Sequence, residues 1–184
     1  MTCIEDEIPF EIPEKWIWVR LKTLCNIYTG NSINETEKQN KYHNLVEGYP
    51  YIATKDIGYD NTIDYKNGIR IPFENEKFRV APPNAPLLCI EGGSAGRKIA
   101  ITNQHVCFGN KLCCFLPYVA IEAFVYFYLQ TPDFISVFNS SKNGIIGGVS
   151  VNTLKEILCP LPPFEEQKKI APQIKTLLFK AING

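Results

Sequence analysis

A chain of 184 residues with 45% hydrophobic and 21% charged side chains has the length and apolar content of one ordinary domain plus an appendage, which excludes a disordered polymer. Nineteen Lys and Arg balance nineteen Asp and Glu, so no overall positive charge is available to hold a polyanion. Seven cysteines, an odd number without a Cys-x-x-Cys pair and behind an acidic N-terminus without a leader pattern, argue against a disulfide framework and predict reduced thiols in a cytoplasm.

Residues 1–14 carry Glu5, Asp6, Glu7, Glu11 and Glu14 with no Lys or Arg. Ile12-Pro13-Glu14-Lys15-Trp16 then leads into residues 16–28, where β-branched and aromatic side chains predict one or two short strands. Residues 29–48 are polar and read as a loop or a broken helix. Residues 49–56 predict a strand whose end, Thr54-Lys55-Asp56, is either an ordinary surface turn or a place where Lys55 reaches a ligand. Residues 59–71 alternate around Asp60-Asn61 and Asn67-Gly68, a hairpin pattern. Residues 66–118 hold seven basic against three acidic side chains, a net charge of +4, so a local basic surface is compatible with the neutral total.

Further along, apolar runs at 87–90, 98–101, 105–108 and 111–115 are separated by Gly92-Gly93-Ser94-Ala95-Gly96, Asn103-Gln104 and Gly109-Asn110, which predicts a β-meander. His105, Cys107, Cys113 and Cys114 come nearest to a zinc set, but their strand-like flanks assign the cysteines to the core as small hydrophobes. After Pro117, residues 121–129 and 132–138 predict two helices. The longest apolar run, 119–129, contains Glu122 and is too short to span a bilayer. The expected fold class is α+β: a twisted, mainly antiparallel β-sheet domain with a few helices, followed by a C-terminal amphipathic helix.

Three turns and loops could carry chemistry. Gly92-Gly93-Ser94-Ala95-Gly96 has the spacing of a serine-hydrolase nucleophile elbow, which needs a strand before the serine and a helix after it. Here Arg97-Lys98-Ile99-Ala100-Ile101 predicts a strand instead, and no acid separates Ser94 from the only downstream histidine, His105. Two other readings stand: a plain strand connection, or bare backbone at Gly92 and Gly93 that admits a phosphate with Ser94, Arg97 and Lys98 beside it. Asn110-Lys111 either satisfies a tight turn or offers an amide suited to an adenine edge and a mobile cation. Lys142 and Asn143, in the polar loop 140–144, either solvate the chain or reach a ligand.

The C-terminal string Leu158-Cys159-Pro160-Leu161-Pro162-Pro163 switches abruptly to a helical pattern. Pro163 suits a first helical position, and Glu165 and Glu166 a first turn. Gln167, Ile170, Ile174, Leu177 and Ala181 recur at spacings of three and four, over about six turns. With Leu178 they form a stripe that docks on its own domain or on another surface. Pro172 predicts a bend near Lys168.

The string Pro-Leu-Pro-Pro-x-x-Glu-Gln-x-x-Ile over Pro160–Ile170 resembles the junction between target recognition domain and spacer helix in specificity subunits of type I restriction-modification systems. Ile12 through Trp16 with Val19 and Leu21, and Gly147-Gly148-Val149-Ser150 with Asn152, resemble the start and the closing loop of such a domain. The resemblance spans nearly the whole chain, tightly at both ends and more loosely between. It implies a target recognition domain at 1–160 and the start of a spacer helix at 161–184. The implied function is non-catalytic reading of one half of a bipartite target in double-stranded DNA, in the cytoplasm and without membrane attachment. Methyltransferase subunits would supply the S-adenosylmethionine chemistry, and restriction subunits the ATP- and Mg2+-dependent cleavage, leaving no cofactor in this chain.

On that reading Lys55, Gly92, Gly93, Ser94, Arg97, Lys98, Asn110, Lys111, Lys142 and Asn143 face DNA. Ile170, Ile174, Leu177 and Leu178 face the methyltransferase subunits or a second copy of the chain. Family subunits carry two recognition domains and two spacers, so this chain is expected to be either an excised part of a longer subunit or a natural half-subunit. Methyltransferase motifs are missing: Pro82-Pro83-Asn84 holds the letters of the catalytic tetrapeptide in the wrong order, and there is no P-loop. The alternatives are an interaction module that uses its C-terminal helix without DNA, and the serine hydrolase.

Overall fold

The computed structural model describes residues 4–144 and 147–183, with side chains described through residue 174 and at Thr176. In chain order its elements are β1 (Ile17–Arg20), α1 (Leu21–Leu24), β2 (Cys25–Thr29), α2 (Glu35–Glu37), β3 (Tyr49–Ile52), β4 (Arg70–Ile71), β5 (Val80–Ala81), β6 (Pro86–Cys89), β7 (Ile99–Ile101), β8 (Val106–Phe108) and β9 (Leu112–Pro117). There follow α3 (Glu122–Tyr128), α4 (Pro132–Ser140), α5 (Val151–Glu156), β10 (Leu158–Leu161) and α6 (Phe164–Asn183). The fold is mixed α+β, with one four-stranded sheet ordered β2-β9-β6-β7, a second ordered β4-β3-β8-β5, and a two-stranded ribbon β1-β10. Every pair is antiparallel except β3 with β8.

The β2-β9-β6-β7 sheet is buried on both faces, and side-chain alternation along its strands feeds two cores. Leu88, Cys113 and Phe115 pack with Phe124, Val125, Phe134 and Phe138 of α3 and α4. Their sequence neighbours Leu87, Cys89, Leu112 and Cys114 point the other way, onto Ile52 and Phe108 of the second sheet. This is why residues 86–89 read as an unbroken apolar run. All six described cysteines are buried free thiols: Cys25, Cys113 and Cys159 in the first core, Cys89 and Cys114 in the second, and Cys107 in a smaller cluster with Tyr51, Ile71 and Phe78. Burial pushes the thiols of Cys25, Cys107 and Cys114 up to about 12.

Helix boundaries follow local chemistry. Thr131 caps α4 by accepting from the Phe134 amide, and Ser150 caps α5 by accepting from Thr153. In α6 the Pro163 carbonyl accepts from Glu166 and Gln167, so Pro163 caps the helix one position before its first residue, Phe164, and does not occupy the first helical position that the sequence predicts. The helix then continues through Pro172 to Asn183.

The predicted meander is corrected by the pairing. β6 and β7 do form a hairpin, but β8 leaves that sheet to lie between β3 and β5, and β9 returns to pair with β6 and β2. The predicted hairpin over 59–71 reduces to an isolated Ile57–Ile63 bridge and a two-residue β4. Asn61 and Gly68 have φ of 65° and 80°, so the turn chemistry was read correctly while the strands it connects are too short to be a ladder.

Candidate nucleic-acid interface

Strand directions bring four C-terminal strand ends to one end of the molecule. β2 and β6 both run antiparallel to β9, and β3 runs parallel to β8. The ends are tied together: Gly109 donates its N–H to the Ile52 carbonyl at 2.9 Å, Asn31 to Phe108 at 2.9 Å, and Ile90 to Lys111 at 2.9 Å. The segments leaving these ends are the Thr54–Asp56 turn, the glycine turn 92–96 and the Asn110-Lys111 turn, with residues 142–144 and 147–150 packed beside them. The sequence-predicted residues Lys55 through Asn143 therefore lie on one end, although they come from four separate stretches of chain.

Between β6 and β7 the glycine turn is closed by its own backbone. Ala95 donates to Gly92, Gly96 to Cys89, and Arg97 and Lys98 to Ser94. The amides of Gly93 and Ser94 have no acceptor among the described residues. Gly92 has φ of 87°, which favours glycine, and nothing lies within 4 Å of where a Cβ would stand on Gly92 or Gly93. The backbone at Gly92 and Gly93 is thus open to close approach.

Three cations ring this turn. Arg97 reaches the Gly93 carbonyl, Lys98 the Thr54 carbonyl at 3.1 Å, and Lys142 the Ala95 carbonyl at 3.0 Å. Neither these three nor Lys55 pairs with a carboxylate among the described residues. Tyr59, 62% exposed, was missed by sequence reasoning and organises the cluster. Its hydroxyl meets that of Ser94 at 3.2 Å, with Arg97 5.5 Å and Lys98 5.0 Å from its ring centroid. The Ser94 hydrogen bond holds its phenol below the usual value; desolvation opposes it, and the charges of Arg97 and Lys98 add a lesser lowering.

Next to it, Glu91, Asn110 and Asn143 line an open concavity of about 530 Å3 with Thr29 and Ser150. The side-chain amides of Asn110 and Asn143 have no partner among the described residues, and Lys111 pairs with Glu91 at 3.3 Å. Gly148 lets the closing loop lie against β6, because a Cβ there would come 2.7 Å from the Ile90 carbonyl oxygen.

This arrangement does not support a hydrolase. Ser94 sits between two strands, its hydroxyl faces a tyrosine, and His105 lies beside Tyr49 of the other sheet, with ring centroids 6.1 Å apart.

At the opposite part of the chain, α6 docks on α3. Gln167 is 2% exposed; its Oε1 accepts from the Ile121 amide at 3.1 Å and its Nε2 donates to the Pro162 carbonyl at 2.9 Å. Ala171 is buried with it, while Ile170 and Ile174 are half-buried. The side chains of Leu177 and Leu178 lie outside the described residues. An apolar groove of about 760 Å3 runs between α3 and α6, lined by Ile121, Tyr126, Phe127 and Pro172. No helix among the described residues is long and apolar enough to cross a membrane.

Residues 13–182 match the family described as "Type I restriction modification DNA specificity domain". The chain is 28% identical over 182 residues to the Type I restriction enzyme EcoBI specificity subunit of Escherichia coli, covering 91% of this chain and 33% of that protein. It is 24% identical over 186 residues to the EcoEI specificity subunit of Escherichia coli, covering 95% of this chain and 30% of that protein. The chain therefore spans about a third of the length of these relatives. The HsdS subunit from Thermoanaerobacter tengcongensis shares its fold, with a TM-score of 0.71 at 24% identity over 95% of this chain and 40% of that chain. A chain from a structure of the type I R-M system does so with a TM-score of 0.70 at 20% identity, over 95% of this chain and 41% of that one. The match runs from the proline of the Ile12–Trp16 motif, through both four-stranded sheets, to the last turn of α6: the chain belongs to the type I restriction-modification DNA specificity domain family.

Proposed function

We propose that this chain is a sequence-specific DNA-recognition domain of a type I restriction-modification specificity subunit, which reads one half of a bipartite double-stranded target and directs methyltransferase and restriction subunits to it. The observation that carries the reading is the convergence of four strand ends on a glycine-open turn, ringed by Arg97, Lys98 and Lys142 without carboxylate partners among the described residues, beside the unpaired amides of Asn110 and Asn143. Cations and bare amides suit phosphate, which sets register; planar amides suit base edges, which set sequence. Lys55 and Lys111 flank the same end. Relatives described as specificity subunits of type I restriction enzymes support this assignment.

In this proposal residues 1–160 form the target recognition domain and 161–184 begin the spacer helix. Ile170, Ile174, Leu177 and Leu178 meet the methyltransferase subunits, or a second copy of the chain where it self-associates. The domain is non-catalytic and works in the cytoplasm. S-adenosylmethionine, Mg2+ and ATP serve the partner subunits and have no seat here. Selection of duplexes from a randomised half-site library, by the chain alone and with its methyltransferase subunit, tests the reading. Enrichment of one short sequence is expected, and none in either condition overturns it.

A further inference from the structure

Glu91 is a half-exposed carboxylate in a concavity that it shares with neutral amides, beside the cations of this end. It follows β6 directly, and its neighbours fix it in place. Ile90 donates to the Lys111 carbonyl at 2.9 Å and accepts from the Val149 amide at 3.0 Å. On the other side a Cβ on Gly148 would come 3.2 Å from the Glu91 Cβ, so the closing loop packs directly against this residue. The side chain lines the concavity shared with Asn110 and Asn143 and remains 49% exposed. Its Oε1 stands 3.3 Å from the Lys111 Nζ, while Oε2 accepts no hydrogen bond among the described residues.

An anion on a surface that meets phosphate weakens binding to every sequence alike. It becomes favourable only where a donor comes to it, and the base edges of the major groove carry donors in one form: the exocyclic amino groups of cytosine N4 and adenine N6. We propose that Glu91 is a specificity-determining residue whose Oε2 accepts from such an amino group, with Lys111 holding Oε1 and orienting the carboxylate. Thymine O4 and guanine O6, which present acceptors at the equivalent edge, are then rejected at that position by an oxygen facing an oxygen. Asn110 and Asn143 stand beside it as neutral readers of the neighbouring edges. This inference rests on the DNA reading above and adds to it the class of base feature that one position demands.

The test is selection from a randomised duplex library by the full chain with its methyltransferase subunit, using the parent chain, Glu91→Ala and Glu91→Gln. Glu91 is exposed and its one ion pair lies at the surface, so neither variant threatens the fold. The parent chain is expected to require cytosine or adenine at one position, and the identity of the enriched base says which amino group is read. Glu91→Ala should lose about tenfold of discrimination at that position alone. Glu91→Gln, which adds a donor, should shift the preference there towards adenine. An unchanged base preference in both variants overturns the inference, as does tighter binding to all sequences alike, which would make Glu91 only a partner of Lys111. In both cases the parent still selects DNA and the domain reading stands. No selection by the parent removes that reading and this inference with it.

Discussion

Replacing Arg97 and Lys98 together with Ala removes the two cations that stand over Tyr59, at 5.5 Å and 5.0 Å from its ring centroid. Both are held by backbone carbonyls and, among the described residues, by no carboxylate, so each can meet a phosphate without first breaking an ion pair. Each phosphate neutralised contributes about 0.9 to the slope of log K against log salt on duplex DNA, so the double variant should flatten that slope by about 1.8. Between about 50 and 200 mM salt, the parent should then lose about tenfold more affinity than the variant. Fluorescence anisotropy on a selected duplex and on a scrambled one, at four salt concentrations, measures this. The loss should be the same on both duplexes, because phosphate carries no sequence. The Arg97→Lys, Lys98→Arg variant should keep the slope. An unchanged slope with an altered preference would refute the reasoning and make these two residues readers of bases.

Gln167→Leu leaves the Ile121 amide and the Pro162 carbonyl without their partner, and should destabilise the chain by about 1–3 kcal/mol in urea unfolding; an unchanged midpoint contradicts the anchoring role. Glu substituted for both Ile170 and Ile174 should abolish co-sedimentation with the methyltransferase subunit while leaving the circular dichroism of the folded body intact, whereas normal assembly would reduce α6 to a structural tail. With burial holding Cys25, Cys107 and Cys114 at about 12, a disulfide reagent at about pH 8 should label the folded chain slowly at all six described cysteines and rapidly after denaturation; fast native labelling would mean the cores are open. The Arg20 hydrogen bond, and its charge, hold Glu7 below the usual carboxylate range against desolvation. The stabilisation from this pair is therefore fully present above the ordinary carboxylate value and lost as pH falls through the depressed one. Amide exchange in Ile17–Arg20 should speed up over that acidic window, and in the Glu7→Gln variant it should be fast at neutral pH as well.

Helices and local turns were legible because their signals are local. The helical pattern after Pro163, the helix starting at Pro132 and the glycine turn between β6 and β7 each read correctly from neighbouring residues. β8 was misplaced because its partners, β3 and β5, are chosen by burial against a second core that periodicity cannot reveal. A parallel pair also leaves no turn between its strands to read. β10 was missed because Pro160 argues against a strand; in a two-stranded ribbon its missing N–H can face outward. Of the interface, the basic and amide-bearing turns were found individually, but Tyr59 was not, since its link to Ser94 spans 35 positions of sequence. Glu91 gave no signal in the sequence beyond one negative charge in a basic stretch, because its neighbours in the concavity, Asn110 and Asn143, come from distant parts of the chain.

β1 and β10 lie side by side, with Ile17 opposite Leu161, and the Trp16 indole donates to the Glu166 carboxylate 3.1 Å away at the foot of α6. The polypeptide thus enters and leaves the recognition body through one two-stranded stem. Any frame able to present two chain ends a strand spacing apart, about 4.8 Å, can carry everything between them as a cassette. Its tips, four strand ends away from the stem, can be rewritten or exchanged wholesale without moving the helix that follows.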